Sequence, residues 1–195
     1  MNLPNSITLL RIVLVPVFAW LHLSGRPAGA LAVFAFAAIS DGVDGLLARA
    51  LNQRTELGAI LDPIADKFLA LTALVLLVSV ETLPAWLLAV ALLRDGIVFG
   101  TGLTSKLTRR PIAAEPTRIS KYATFTLMTA ITLGLLVRAD PRGRELIPYV
   151  AAAGIVAAEC MAVAAFQYTM RWRHLLDGRA AGAMGRRERR RTQRG

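Results

Sequence analysis

The chain has 195 residues, 55% hydrophobic and 18% charged, with a mean hydropathy of +0.51 and a formal net charge of +10. A soluble domain of this size carries more charge, about 25%. The basic residues lie in loops and a tail beside long apolar blocks, a pattern of membrane topology and anionic-lipid contact that argues against nucleic acid as the partner.

The apolar blocks have membrane-spanning length, about 20 residues per helix. They show no period-2 alternation, so a barrel is excluded and a bundle of helices is predicted. The first span runs from Ile7 to Leu23, after Pro4, which suits a short lead-in helix or turn. With no basic n-region and with Arg11 inside it, this segment reads as mature protein and not as a signal peptide. Ser24–Gly29 is a loop by its breakers. The second span runs from Ala28 to Ser40, and its helix is expected to continue through Asp41–Arg49 into the aqueous interface. The third runs from Leu57 to Val80, the fourth from Pro84 to Gly102, the fifth from Ser120 to Val137 and the sixth from Ile147 to Met170. The predicted fold is thus an all-α integral membrane bundle of six transmembrane helices. Residues 1–170 form one membrane domain, and residues 171–195 a basic tail predicted to be disordered.

Lys and Arg set the orientation. One side holds Arg49, Arg54, the loop from Lys106 to Lys121 and nine arginines of the tail; the other holds only Arg26, Arg138, Arg142 and Arg144. Both termini are therefore expected in the cytoplasm.

Four carboxylates lie at or near the ends of spans two and three: Asp41, Asp44, Asp62 and Asp66. Ionisable groups at membrane depth are costly and default to a functional reading. Asp41 and Asp44 are three apart and share a helix face, as do Asp62 and Asp66, four apart. The short connection makes the two helices antiparallel neighbours, so both acidic faces can line one cavity at the cytoplasmic interface. Only Arg49, Arg54 and Lys67 are near in sequence, so the acids would repel one another without a cation between them. Oxygen-only ligands favour Mg²⁺ or Mn²⁺, and three or four carboxylates can hold two such ions. Two ions about 3.5–4 Å apart can clamp a phosphoanhydride during in-line displacement. Gly45, Ala48 and Gly58 lack bulk and leave room for a nucleotide, and Arg49 offers planar donors to a phosphate.

The pattern Asp41-x-x-Asp44-Gly45-x-x-Ala48-Arg49, eight residues, Gly58-x-x-x-Asp62-x-x-x-Asp66 resembles the signature of the CDP-alcohol phosphatidyltransferase family without a departure. The six-span layout is similar to that family over nearly the whole chain. The resemblance implies that Asp41, Asp44 and Asp62 ligate metal on the pyrophosphate of a CDP-lipid. It implies that Gly45, Ala48 and Gly58 line the nucleotide site with Arg49 nearby, and that Asp66 completes the metal site and acts as general base. It also implies CDP-diacylglycerol and an alcohol as substrates, a homodimer, and the bacterial inner membrane as location.

The acceptor is less specified. Asn2-Leu-Pro-Asn-Ser-Ile-Thr-Leu-Leu-Arg11 resembles the N-terminus of both phosphatidylglycerophosphate synthases and the cardiolipin synthases of this family. Arg94-Asp95 and Ile119-Ser-Lys121 are more similar to the cardiolipin type. The commonness of phosphatidylglycerophosphate synthases in bacteria weighs the other way, so glycerol 3-phosphate is the expected acceptor and phosphatidylglycerol the alternative. A phosphate dianion needs charge-assisted donors, for which Arg94, Arg118 and Lys121 are the candidates. Arg94-Asp95 reads equally well as a salt bridge with no direct role.

His22 and His174 are expected at the interfaces, Trp86 and Trp172 as interfacial anchors, and Cys160 as a packing residue. Glu159, midway along the last span, has no assigned role; pairing with an arginine and lining a lipid cavity are both open. A UbiA-like prenyltransferase would need a second acidic motif downstream, and a cation transporter would need acids spread across the membrane depth. Neither pattern is present.

Overall fold

A computed structural model describes the backbone of residues 3–50, 56–108 and 118–192, and the side chains of residues 10–40, 64–103, 118–140 and 142–170. Among these the chain forms six α-helices: α1 (Leu3–Leu23), α2 (Pro27–Ala50), α3 (Glu56–Ser79), α4 (Ala85–Thr108), α5 (Arg118–Ala139) and α6 (Ile147–Thr192). A 3-10 turn, Pro141–Leu146, joins α5 to α6. The first five helices have 21 to 24 residues. At 1.5 Å per residue each is a little longer than a bilayer core of about 30 Å.

Three stretches among the described residues are long and apolar enough to cross a membrane: Ala85–Leu103, Arg118–Ala139 and Arg142–Met170. Leu10–Leu23 and Pro27–Ser40 are shorter apolar helices. Large apolar side chains face outward all round the bundle, including Trp20, Phe36, Phe68, Phe99, Phe125 and Phe166. Water would penalise such a surface and lipid solvates it, so the chain is an integral membrane protein.

The buried side is built largely from small residues. Ala30, Ala37, Ala73, Ala130, Ala157 and Ala164 are fully buried, with Leu69, Leu77, Leu87, Ile131 and Leu135 filling between them. In lipid, association depends on close van der Waals packing, which small residues permit. Gly134 of α5 shows this directly, because a Cβ there would lie 3.1 Å from Leu77 Cδ1 of α3. Thr126, Thr129 and Thr132 of α5 donate their hydroxyls to carbonyls one turn earlier in the same helix, at 2.8, 2.9 and 2.8 Å, so these three hydroxyls are bonded within an apolar setting.

The packing pairs are α1 with α2 and α3, α5 with α2, α3 and α6, and α4 with α3 and α6. α2 and α3 also touch, as their short connection predicts, although α1 packs against each of them more extensively.

The turns follow local chemistry. Gly25, at φ 71°, ends α1 in the left-handed region, and Pro27 opens α2. Glu81 takes the same role after α3 at φ 57°. The charged loop after α5 is ordered by Asp140, whose carboxylate accepts from the Arg142 N–H at 2.9 Å. Gly143 then passes so close that an added Cβ would meet Val137 Cα at 2.6 Å. Gly143→Ala is expected to cost about 1–3 kcal/mol by forcing that backbone apart. An unchanged unfolding midpoint in detergent would contradict this close approach.

One expectation is corrected. Pro4 lies inside α1 and forms no separate lead-in helix, because the first helical turns tolerate proline. α6 runs on past Met170 to Thr192.

Candidate active site

The two acidic segments lie on adjoining helices. Asp41, Asp44, Gly45, Ala48 and Arg49 fall in the last turns of α2, which continues past the apolar stretch as predicted. Gly58, Asp62 and Asp66 fall in the first turns of α3. The side chains of all of these except Asp66 lie outside the described residues. Asp66 is half-buried, with its neighbours Ala65 and Leu69 fully inside the bundle. Among the described residues no group of three His, Cys, Asp or Glu gathers, and three of the four motif acids lie outside that set.

A charged cluster adjoins Asp66. Lys67 Nζ meets Asp95 Oδ2 at 3.2 Å across the α3–α4 contact. Asp95 Oδ1 accepts from Arg94 Nη1 at 2.6 Å. Arg94 Nη2 donates to the Ser120 hydroxyl, and to its carbonyl at 3.3 Å, in the first turn of α5. Ser120 is buried, while Arg118 and Lys121 on either side are exposed. A bond spanning 26 residues of sequence thus ties Arg94 to the first turn of α5, which also carries the other two acceptor candidates, Arg118 and Lys121. Arg94 and Asp95, open in sequence between a functional pair and a salt bridge, do form a salt bridge, with Lys67 as an additional member. The cluster holds two cations and one anion, and Asp66 precedes it on α3.

Sequence reasoning passed over two residues here. Lys67 was noted only as a nearby base, yet it is the member of the cluster with the most exposed side chain, at 53%. The signal available was a lysine directly following the last motif acid inside an apolar helix. Arg11 was read only as part of the N-terminal resemblance and as a sign against a signal peptide, yet it is 3% exposed on α1, the helix that packs against both α2 and α3.

Other residues fall into place. His22, in the last turn of α1, is buried against Phe18, with ring centroids 6.2 Å apart. Its ring nitrogens find no hydrogen-bond partner among the described residues. Burial follows from its position on the helix face shared with Phe18, four residues earlier. Trp86 is exposed near the start of α4, as an interfacial anchor would be. Cys160 packs at the edge of the core as a free thiol. Glu159 is exposed on α6 and forms no salt bridge among the described residues. His174 and Trp172 lie outside the described side chains.

The chain is thus an all-helical, lipid-facing bundle that carries its carboxylate motif on two adjoining helices, with the Lys67–Asp95–Arg94 cluster next to the last motif acid in sequence. The family model for CDP-alcohol phosphatidyltransferases matches residues 1–170, and the chain belongs to that family. It is a CDP-diacylglycerol-dependent phosphatidyltransferase of phospholipid synthesis. A CDP-diacylglycerol–glycerol-3-phosphate 3-phosphatidyltransferase of Bacillus subtilis is 37% identical over 150 residues, covering 69% of this chain and 77% of that protein. A protein of the same name from Pseudomonas fluorescens is 50% identical over 93 residues, covering 44% and 48% respectively. A putative cardiolipin synthase of Mycobacterium tuberculosis is 34% identical over 143 residues, covering 72% and 68%.

Proposed function

We propose that this chain transfers the phosphatidyl group of CDP-diacylglycerol to glycerol 3-phosphate and releases CMP. The observation that carries this reading is the unbroken acidic motif on α2 and α3, in a chain matched by the family model over residues 1–170. The glycerol 3-phosphate acceptor draws support from the names of the relatives that reach 50% identity. Lys67, with Arg118 and Lys121 exposed in the first turn of α5, offers charge-assisted donors that suit a phosphate dianion.

In this reading the acceptor hydroxyl oxygen attacks the lipid-bearing phosphorus. The bond to the CMP phosphate breaks, and Asp66 takes the hydroxyl proton. Gly45, Ala48 and Gly58 leave room for the nucleotide, and Arg49 meets a phosphate. Arg118, Lys121 and, through its tie to Ser120, Arg94 supply the positive charge on the acceptor side. Asp41, Asp44, Asp62 and Asp66 form an oxygen-only donor set that fits two Mg²⁺ or Mn²⁺ ions. Such ions would neutralise charge on the pyrophosphate and acidify the acceptor hydroxyl.

The six helices would each span the membrane, with both termini and the site at the cytoplasmic face of a bacterial inner membrane. The bundle of residues 1–170 would form the enzyme domain, with residues 171–195 as a basic cytoplasmic extension and a second copy completing a homodimer.

The test is CMP release by the purified protein in detergent with CDP-diacylglycerol and Mg²⁺, supplying glycerol 3-phosphate, phosphatidylglycerol, inositol or serine singly. Release with glycerol 3-phosphate alone, abolished by EDTA, is expected. Release with phosphatidylglycerol alone would establish the cardiolipin synthase reading, which the Mycobacterium tuberculosis relative's name favours. No release with any acceptor would overturn the proposal.

A further inference from the structure

Arg94 is an obvious phosphate ligand by residue type, yet its terminal nitrogens are already occupied. Nη1 is committed to Asp95, and Nη2 to the hydroxyl and carbonyl of Ser120. Its side chain is only 12% exposed. Lys67 differs on both counts. Its side chain is 53% exposed and its ammonium has one ion-pair partner among the described residues, the Asp95 carboxylate. An ammonium has three donors, so two remain for an incoming anion. Lys67 also directly follows Asp66, the residue assigned to the proton transfer, on the same helix.

We propose that Lys67 binds a substrate phosphate in this site and that Asp95 is the positioning residue that holds it there. Arg94 acts as the strut that ties Asp95 to α5. The proposal rests on the phosphatidyltransfer reading above and assigns the anion contact to a residue outside the family motif.

The geometry gives each member a task. Asp95 divides its two oxygens between α3 and its own neighbour on α4, so it is fixed from both sides. A lysine carries four flexible bonds, and ordering its ammonium before substrate arrives lowers the entropy lost on binding. Exposure favours the same assignment. Of the two cations on Asp95, Lys67 is the exposed one, which an anion can reach.

The phosphate has two sources of the same chemistry, the CDP-lipid pyrophosphate and the phosphate of the acceptor. Kinetics on Lys67→Met, Lys67→Arg, Asp95→Asn and the double variant Lys67→Met/Asp95→Asn separate them. CMP release would be measured while each substrate is varied in turn. Lys67→Met is expected to raise the KM of one substrate about tenfold or more, the loss of one charge-assisted contact, with a smaller change in kcat. Lys67→Arg should recover most of that loss. The KM that moves identifies whose phosphate Lys67 meets. Asp95→Asn should raise the same KM by a few-fold, and should add nothing in the Lys67→Met background, because it acts through Lys67.

An unchanged KM for both substrates in Lys67→Met would overturn the proposal. So would an Asp95→Asn effect that persists in full without Lys67, which marks a purely structural pair. If Asp95→Asn fails to fold, the exposed Lys67 variants decide alone. Absence of CMP release by the wild type with both glycerol 3-phosphate and phosphatidylglycerol would sink the functional reading, and this inference with it.

Discussion

Asp41→Asn and Asp62→Asn are each expected to reduce metal-dependent CMP release about a thousandfold or more. The two residues lie on different helices, α2 and α3, so they probe both halves of the proposed metal site. An amide keeps the shape but removes the negative charge that holds a hard divalent ion. The charge stabilisation such an ion contributes at a transferring phosphoryl group is several kcal/mol, and each 1.4 kcal/mol is tenfold in rate. The loss should be partly recovered by raising Mg²⁺ or Mn²⁺ if the variant site still binds metal weakly. A wild-type rate in either variant would remove the metal-ligand assignment.

Asp66→Asn should separate binding from chemistry. Asp66 is half-buried on α3, one turn beyond Asp62, with Lys67 and the Asp95–Arg94 pair beside it. An Asn there cannot accept the acceptor's proton. Loss of a general base costs typically about 10²–10⁴-fold, so kcat should fall by that amount. The remaining three carboxylates still carry most of the negative charge that would hold the metal. CDP-diacylglycerol binding, measured directly in detergent with Mg²⁺, should therefore weaken far less than turnover. Binding lost as fully as in Asp41→Asn would show that Asp66 serves the metal and not the proton. Normal turnover would exclude it from the mechanism.

These two predictions depend on different kinds of information. The carboxylate motif is legible from spacing alone, because residues three and four apart on a helix share a face whatever surrounds them. The helices are legible for a similar reason. Apolar runs of bilayer length have few ways to satisfy their backbone in lipid, so α1 to α5 begin and end close to the predicted spans and α6 begins where predicted. The continuation of α2 through Arg49 also followed from the run of residues itself.

Other features depended on contacts between distant parts of the chain. No periodicity relates Arg94 to Ser120, 26 residues later, or Lys67 to Asp95 across two helices. Arg94-Asp95 was open between a functional pair and a plain salt bridge because its neighbours were unknown. The packing of α3 on α4 supplies Lys67, and the approach of α5 supplies Ser120. The same holds for His22, whose place beside Phe18 inside the bundle hydropathy could not reveal.

What the sequence determined by itself was therefore the class of protein, its helices and its acidic motif, because local hydropathy and helical spacing govern all three. Only the tertiary structure decided that α1 packs on both motif helices and buries Arg11, and that the Lys67 side chain is exposed while that of Arg94 is largely buried. Side-chain burial and ion pairing depend on which helix faces meet, and in lipid that choice is made by close packing of small residues spread along the chain.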